Sequence, residues 1–197
     1  VARVFEHGGA HSLQVSRDLV LKAFNRANQR IREHTRQTPE HAGMGCTAEL
    51  LSFYPGGYLL GHVGDSRSYR LRKGFLQQLS RDHSLVQDQI DRGIIAADQA
   101  ASHRMRHVIL RAVGMDDSIS VDLIQGTVLP GDLYLLCSDG LSDMLPAKHI
   151  KEILDRHSSL ATAGQELIDQ ALSVGGLDNI TVVLALIPAP SPEGANR

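Results

Sequence analysis

Three apolar runs in this chain stop at, or start from, an aspartate set beside Ser, Gly or Asn. Asp65 follows Leu59-Leu60-Gly61-His62-Val63-Gly64, Asp139 follows Leu133-Tyr134-Leu135-Leu136-Cys137-Ser138, and Asp178-Asn179 leads directly into Ile180-Thr181-Val182-Val183-Leu184. Near-continuous apolar strands belong inside a fold, so each carboxylate is held at a sheet end, neither fully solvated nor free to swing away. Ionised carboxylates gathered in one pocket raise one another's pKa. A hard divalent cation removes that penalty, and Mg2+ or Mn2+ prefers carboxylate and water oxygens to His or Cys. Two such ions roughly 3.5–4 Å apart clamp a phosphate oxygen and acidify a bridging water for in-line attack. Taken singly, an Asp-Gly, Asp-Asn or Gly-Asp pair is first of all a turn signal.

The rest of the chain sets these aspartates among strands in the middle and helices at the flanks. A helix is expected from about Ser16, its N-cap, to Arg36, with Leu19, Val20, Ala23, Phe24, Ala27 and Ile31 on one face. Two hairpins follow, Thr47–Tyr54 with Tyr58–Val63 across Pro55-Gly56-Gly57, and Tyr69–Arg72 with Phe75–Leu79 across Lys73-Gly74. Short helices are expected from Ser84 to Gly93 and from about Ala96 to Ser102. Further strands are read at Ile119–Leu123, Leu133–Cys137 and Ile180–Ile187, and further helices at about Ala147–Arg156 and Ala161–Leu172. Without regular βαβ alternation the pattern is α+β with mainly antiparallel sheets. From Pro188 to Arg197 nothing apolar is left to bury, which reads as a flexible tail or linker.

Composition narrows the function. With 197 residues, 42% hydrophobic and 21% charged, the chain is ordinary globular material for one domain. A formal net charge of -2 gives no reason to expect nucleic acid or acidic lipid as a main partner. No run is long enough for membrane insertion and no signal segment opens the chain. Cys46 and Cys137 form no C-x-x-C pair and read as small buried hydrophobes in a reducing, cytoplasmic setting.

Several segments, in order, resemble the metal-dependent serine/threonine protein phosphatases of type 2C, bacterial kind. They are Gly43-Met44-Gly45-Cys46-Thr47, His62-Val63-Gly64-Asp65-Ser66-Arg67-Ser68-Tyr69, Leu79-Ser80-Arg81-Asp82-His83-Ser84-Leu85, Gly131 through Asp143 with Ser138-Asp139-Gly140, and Gly175-Gly176-Leu177-Asp178-Asn179-Ile180-Thr181. The resemblance implies a sandwich of two mainly antiparallel β-sheets flanked by helices on both sides, within one domain over residues 1–187. It implies hydrolysis of phosphoserine and phosphothreonine monoesters on protein substrates of a serine/threonine kinase, through a metal-activated water, by a monomer. Asp139 and Asp178 match the aspartates that hold the second metal, and Asp65 and Asp143 match those of a further, weaker site, so two or three Mn2+ or Mg2+ ions are implied. Ser66 and Arg67 match positions that fix the turn aiming Asp65. Residues 85–114 resemble the flap beside the active site, which would bear on substrate choice.

The N-terminus departs from that pattern. The family carries an Asp-Gly-x-Gly-Gly motif whose Asp bridges both metals, and an Arg that grips the phosphate. Here Glu6-His7-Gly8-Gly9 precedes the first helix, and aligning the paired glycines puts Phe5 at the bridging position. Either the natural protein has residues this chain lacks, or the metal centre is degenerate. The second case makes the chain a catalytically impaired binding or regulatory module on the same scaffold. His103 and His107 sit four residues apart without the Glu of H-E-x-x-H. Ser138 lacks a G-x-S-x-G elbow, which sets aside a serine hydrolase. An unrelated Mg2+ phosphodiesterase stands as a third, weaker reading.

Overall fold

The computed structural model describes residues 12–100 and 102–188. The expected Glu6–Gly9 segment, and the expected tail from residue 189 onward, lie outside them. Two compact units divide the chain, one holding the residues up to Ser66 together with Arg81–Thr127, the other Arg67–Ser80 together with the residues from Val128 on.

In the first unit, helix α1 (Leu13–Gln37) lies on a three-stranded antiparallel sheet of order β1-β2-β5, with β1 Ala48–Tyr54, β2 Gly57–Val63 and β5 Asp122–Thr127. The apolar stripe of α1 lands as its spacing predicts. Val20 and Phe24 are buried among Leu59, Val63 and Val113, with Ala27, Ile31 and Leu50 packed around them. Fully burying a side chain such as Val20 or Phe24 contributes about 1.5–3 kcal/mol. Helix α1 begins one turn earlier than expected. Ser12, not Ser16, is its N-cap and accepts from the Val15 amide, while Ser16 is fully buried inside the helix. Both serines carry the same capping chemistry, and only the packing of the first turn separates them.

The segment between β2 and β5 holds the short helix α2 (Leu85–Asp91), capped by Ser84 as expected, and a single 3₁₀ turn at Ala97–Gln99 where a second helix was expected. Its return is pinned at both ends. Ser84 bridges Ile109, and Cys46 and Val113 exchange both backbone hydrogen bonds, at 3.0 and 2.8 Å. Buried Asn28 of α1 accepts from the Gly114 amide at 2.6 Å and donates to the Asp116 carbonyl at 2.9 Å. Strand β5 starts three residues later than its apolar pattern suggests, because its ladder to β2 runs from Asp122 opposite His62 to Thr127 opposite Gly57. Ile119 and Val121 instead pack into the core on the approach. Cys46 is exposed, against expectation, whereas Cys137 is buried.

The second unit is a four-stranded antiparallel sheet of order β4-β3-β6-β7, built from β3 Arg67–Arg72, β4 Phe75–Gln78, β6 Leu133–Cys137 and β7 Val182–Leu186. Helices α3 (Asp139–Ser142), α4 (Ala147–Arg156) and α5 (Leu160–Ser173) belong to it. Ile150, Ile153 and Leu167, all fully buried, close its core with Leu135 and Leu141. Buried Asp132 at the mouth of β6 accepts from Arg72 Nε and Nη2 at 2.6 Å each and from the Leu129 amide at 2.8 Å. Burial alone would raise its pKa, but those three donors hold it below the usual carboxylate range. Two mainly antiparallel sheets with helices are the α+β arrangement read from the sequence. Helix α3 was not foreseen, being too short to show a periodicity.

Candidate active site

In the second unit the two aspartates assigned to one metal are carried on neighbouring chain ends. Ser138 ties the segments together, its Oγ donating to the Asn179 carbonyl and accepting from the Thr181 amide, each at 3.0 Å. The Ser138 amide also donates to the Thr181 carbonyl at 3.2 Å. The chain behind Asp139 packs so closely that a Cβ built on Gly140 would meet the Asn179 carbonyl oxygen at 2.4 Å and the Asp178 carbonyl oxygen at 3.4 Å. The Ser138 hydroxyl is therefore engaged on both sides in holding the two segments together.

Each carboxylate uses one oxygen to close its own turn, Asp139 Oδ1 accepting from the Gly140 amide at 2.9 Å and Asp178 Oδ1 from the Asn179 amide at 2.6 Å. Neither pairs with a Lys, Arg or His among the described residues. Asp143 sits one turn of α3 beyond Asp139, its amide donating to the Asp139 carbonyl at 2.8 Å. Asp139 and Asp65 are half-buried, whereas Asp178 is exposed, so the sequestration expected of the three strand-end carboxylates holds for two of them; Asp143 is exposed as well. Among the described residues no three His, Cys, Asp or Glu side chains form a group able to hold a metal ion. The chemistry of Asp139 and Asp178, two oxygen donors without a protein cation, fits part of a shell for a hard divalent ion.

In the first unit, Asp65 follows a turn that is held on several sides. Gly64 takes φ +116°, and a Cβ there would meet Thr47 Cγ2 at 2.3 Å, so only glycine suits the position. Ser66 Oγ lies 2.8 Å from Thr47 Oγ1. The Gly64 amide donates to His83 Nδ1 at 3.1 Å, while the His83 amide donates to the Gly64 carbonyl at 2.7 Å.

Behind this turn lies a pair of buried histidines that sequence reasoning passed over. The His62 and His83 ring centroids are 4.5 Å apart. His62 Nδ1 is hydrogen-bonded to Glu49, and its Nε2 donates to the Arg81 carbonyl at 2.8 Å. Both acceptors call for an N–H, which is the imidazolium form. Burial works against that charge, but the Glu49 carboxylate outweighs it and raises the pKa of His62. For His83, Nδ1 accepts, so Nε2 carries the proton and faces Asp122 Oδ2 at 3.2 Å. Burial lowers the pKa of His83, and the neighbouring His62 and Arg111 reinforce the shift. Asp122 also takes Arg111 Nη1 at 3.0 Å. Burial alone would raise its carboxyl, but His83 and then Arg111 lower it below the ordinary value. The one clue in the sequence was a histidine set in an apolar strand, facing Glu49 across a hairpin.

The two histidines tilt stability with pH in opposite senses. The raised pKa of His62 contributes stability that is complete below about 6.5 and fades as pH climbs through the folded value. The lowered pKa of His83 contributes above about 6.5 and fades as pH falls through the folded value. Glu49→Gln should therefore cost about 3 kcal/mol at pH 6, where it strands a buried imidazolium, and much less at pH 9. Urea midpoints across that range check it, and a loss that is flat with pH counts against the charged pair.

No protein-family model matches the chain. Serine/threonine phosphatase stp of Listeria monocytogenes is 35% identical over 163 residues, covering 83% of this chain. The chain spans 68% and 65% of the length of the first two curated relatives, and 33% of the Mycobacterium tuberculosis serine/threonine protein phosphatase PstP. The Mycobacterium tuberculosis serine/threonine phosphatase PstP/Ppp superposes with TM-score 0.83 at 34% identity, over 95% of this chain and 80% of that one. The catalytic domain of serine/threonine protein phosphatase PstP in complex with two manganese ions superposes with TM-score 0.85 at 33% identity, over 95% and 77%. Likeness at this level in both sequence and fold, with the Asp65, Asp139 and Asp178 motifs in place, means that the chain belongs to the metal-dependent serine/threonine protein phosphatases of type 2C.

Proposed function

We propose that this chain removes phosphate from phosphoserine and phosphothreonine on proteins, with Asp139 and Asp178 as ligands of a shared Mn2+ or Mg2+. The observation that carries the reading is the Ser138 tie, which sets on adjacent chain ends two carboxylates that pair with no Lys, Arg or His among the described residues. By motif position alone, Asp65 and Asp143 are assigned to further ions, giving two or three in all. A bound divalent cation supplies Lewis acidity at the phosphate and a water of lowered pKa. The chain's own part is to fix the carboxylate oxygens in advance, through the Gly140 and Asn179 amides, so that little reorganisation follows binding. Ser138, held by two hydrogen bonds, takes no covalent part.

Phosphorylated proteins made by a serine/threonine kinase are the proposed substrates, with the chain acting as a monomer in the cytoplasm and residues 85–114 as the flap that meets the substrate. No helix among the described residues is long and apolar enough to cross a membrane. The non-enzymatic module is not favoured, because the relatives are phosphatases. A Mn2+ titration of phosphothreonine-peptide and aryl-phosphate hydrolysis tests the reading. Turnover should appear with Mn2+, vanish with chelator, and spare phosphodiesters. Little or no Mn2+ binding together with no monoester turnover would return the chain to the binding-module class, and a diester preference would make it a phosphodiesterase.

A further inference from the structure

The geometry points to His83 as a positioning residue for the Gly64–Asp65 turn, one that also couples this turn to the return of the 85–114 segment. This inference rests on the proposed function only for its effect on turnover.

Residue 83 holds Gly64 from both sides, through its amide to the Gly64 carbonyl at 2.7 Å and through Nδ1 to the Gly64 amide at 3.1 Å. Gly64 immediately precedes Asp65, so its peptide planes set the direction in which the aspartate leaves the strand. The His83 carbonyl accepts from the Leu110 amide at 2.7 Å. On the far side of the ring, Nε2 reaches Asp122, which also receives Arg111 from the same return. A single imidazole thus has one nitrogen on the turn and the other on a carboxylate shared with the 85–114 segment. Only the tautomer protonated at Nε2 serves both contacts. Arg111 Nη1, at 3.2 Å from Nε2, is also a donor, so the two N–H groups converge on Asp122 and do not bond each other. The groups facing the ring are His62, Arg111 and Asp122, and the side chain is almost completely buried.

The tests use the wild type and two variants. In the imidazole 15N spectrum of the wild type near pH 8, His83 should show a bare Nδ1 and a protonated Nε2, and a protonated Nδ1 would overturn the assignment. His83→Ala should speed hydrogen exchange of the Gly64 amide at least tenfold and raise the Mn2+ concentration for half-maximal turnover by about tenfold, as when a partner behind a metal ligand is removed. His83→Asn, which can place an amide oxygen near the Nδ1 position, should recover most of both effects, although it cannot reach Asp122. Gly64 exchange unchanged in the alanine variant, or Asn behaving like Ala, sinks the inference. If the wild type hydrolyses no monoester, the functional proposal fails, while the tautomer and the Gly64 exchange still decide the role of His83.

Discussion

If Asp139 is the proposed metal ligand, Asp139→Asn should lower Mn2+-dependent turnover by on the order of 10²-fold or more, since losing such a ligand removes several kcal/mol of charge stabilisation. The substitution is informative because it spares the fold. Asn keeps an Oδ1 that can accept from the Gly140 amide, as Asp139 does at 2.9 Å, so the turn opening α3 survives and only the anionic donor is lost. Thermal unfolding separates the two effects. Without metal, variant and wild type should melt together. With Mn2+ added, the wild type should gain stability by mass action and the variant should gain less. Asp178→Asn should behave alike, its Oδ1 being tied to the Asn179 amide in the same manner. A variant that keeps full turnover and the full Mn2+ shift removes Asp139 from the ligand set.

Gly140→Ala is expected to damage stability and metal binding together. Its Cβ would stand 2.4 Å from the Asn179 carbonyl oxygen and 3.0 Å from the carbonyl carbon, backbone atoms with no rotamer to yield. The collision can be relieved only by parting the segments that Ser138 joins, so three hydrogen bonds at that junction loosen together. Overpacking against rigid surroundings costs about 1–3 kcal/mol, and weakening the tie places this case at the upper end. Because Asp139 and Asp178 ride on the parted segments, Mn2+ affinity should fall along with stability. A urea midpoint and a calorimetric Mn2+ titration check both. Wild-type stability with wild-type affinity would show that the segments can separate without disturbing the carboxylates, contrary to the proposed shared ion.

What could be read directly was whatever depends on near neighbours in the chain. Hairpin β1–β2 across Pro55-Gly56, hairpin β3–β4 across Lys73-Gly74, the Ser84 cap and the apolar stripe of α1 all follow from local turn chemistry and periodicity. The family likewise lay in short contiguous motifs, because strand-end aspartates work only with the small residues beside them. Choices that needed a partner distant in sequence were not legible. Ser12 displaced Ser16 as the cap once the first turn packed, and β5 began at Asp122 because β2 set its register. The opposite protonation of His62 and His83 depends on Glu49, Asp122 and a backbone carbonyl brought to the two rings by the fold. Propensity acts over a few residues, whereas register, burial and pKa belong to whichever groups folding makes neighbours.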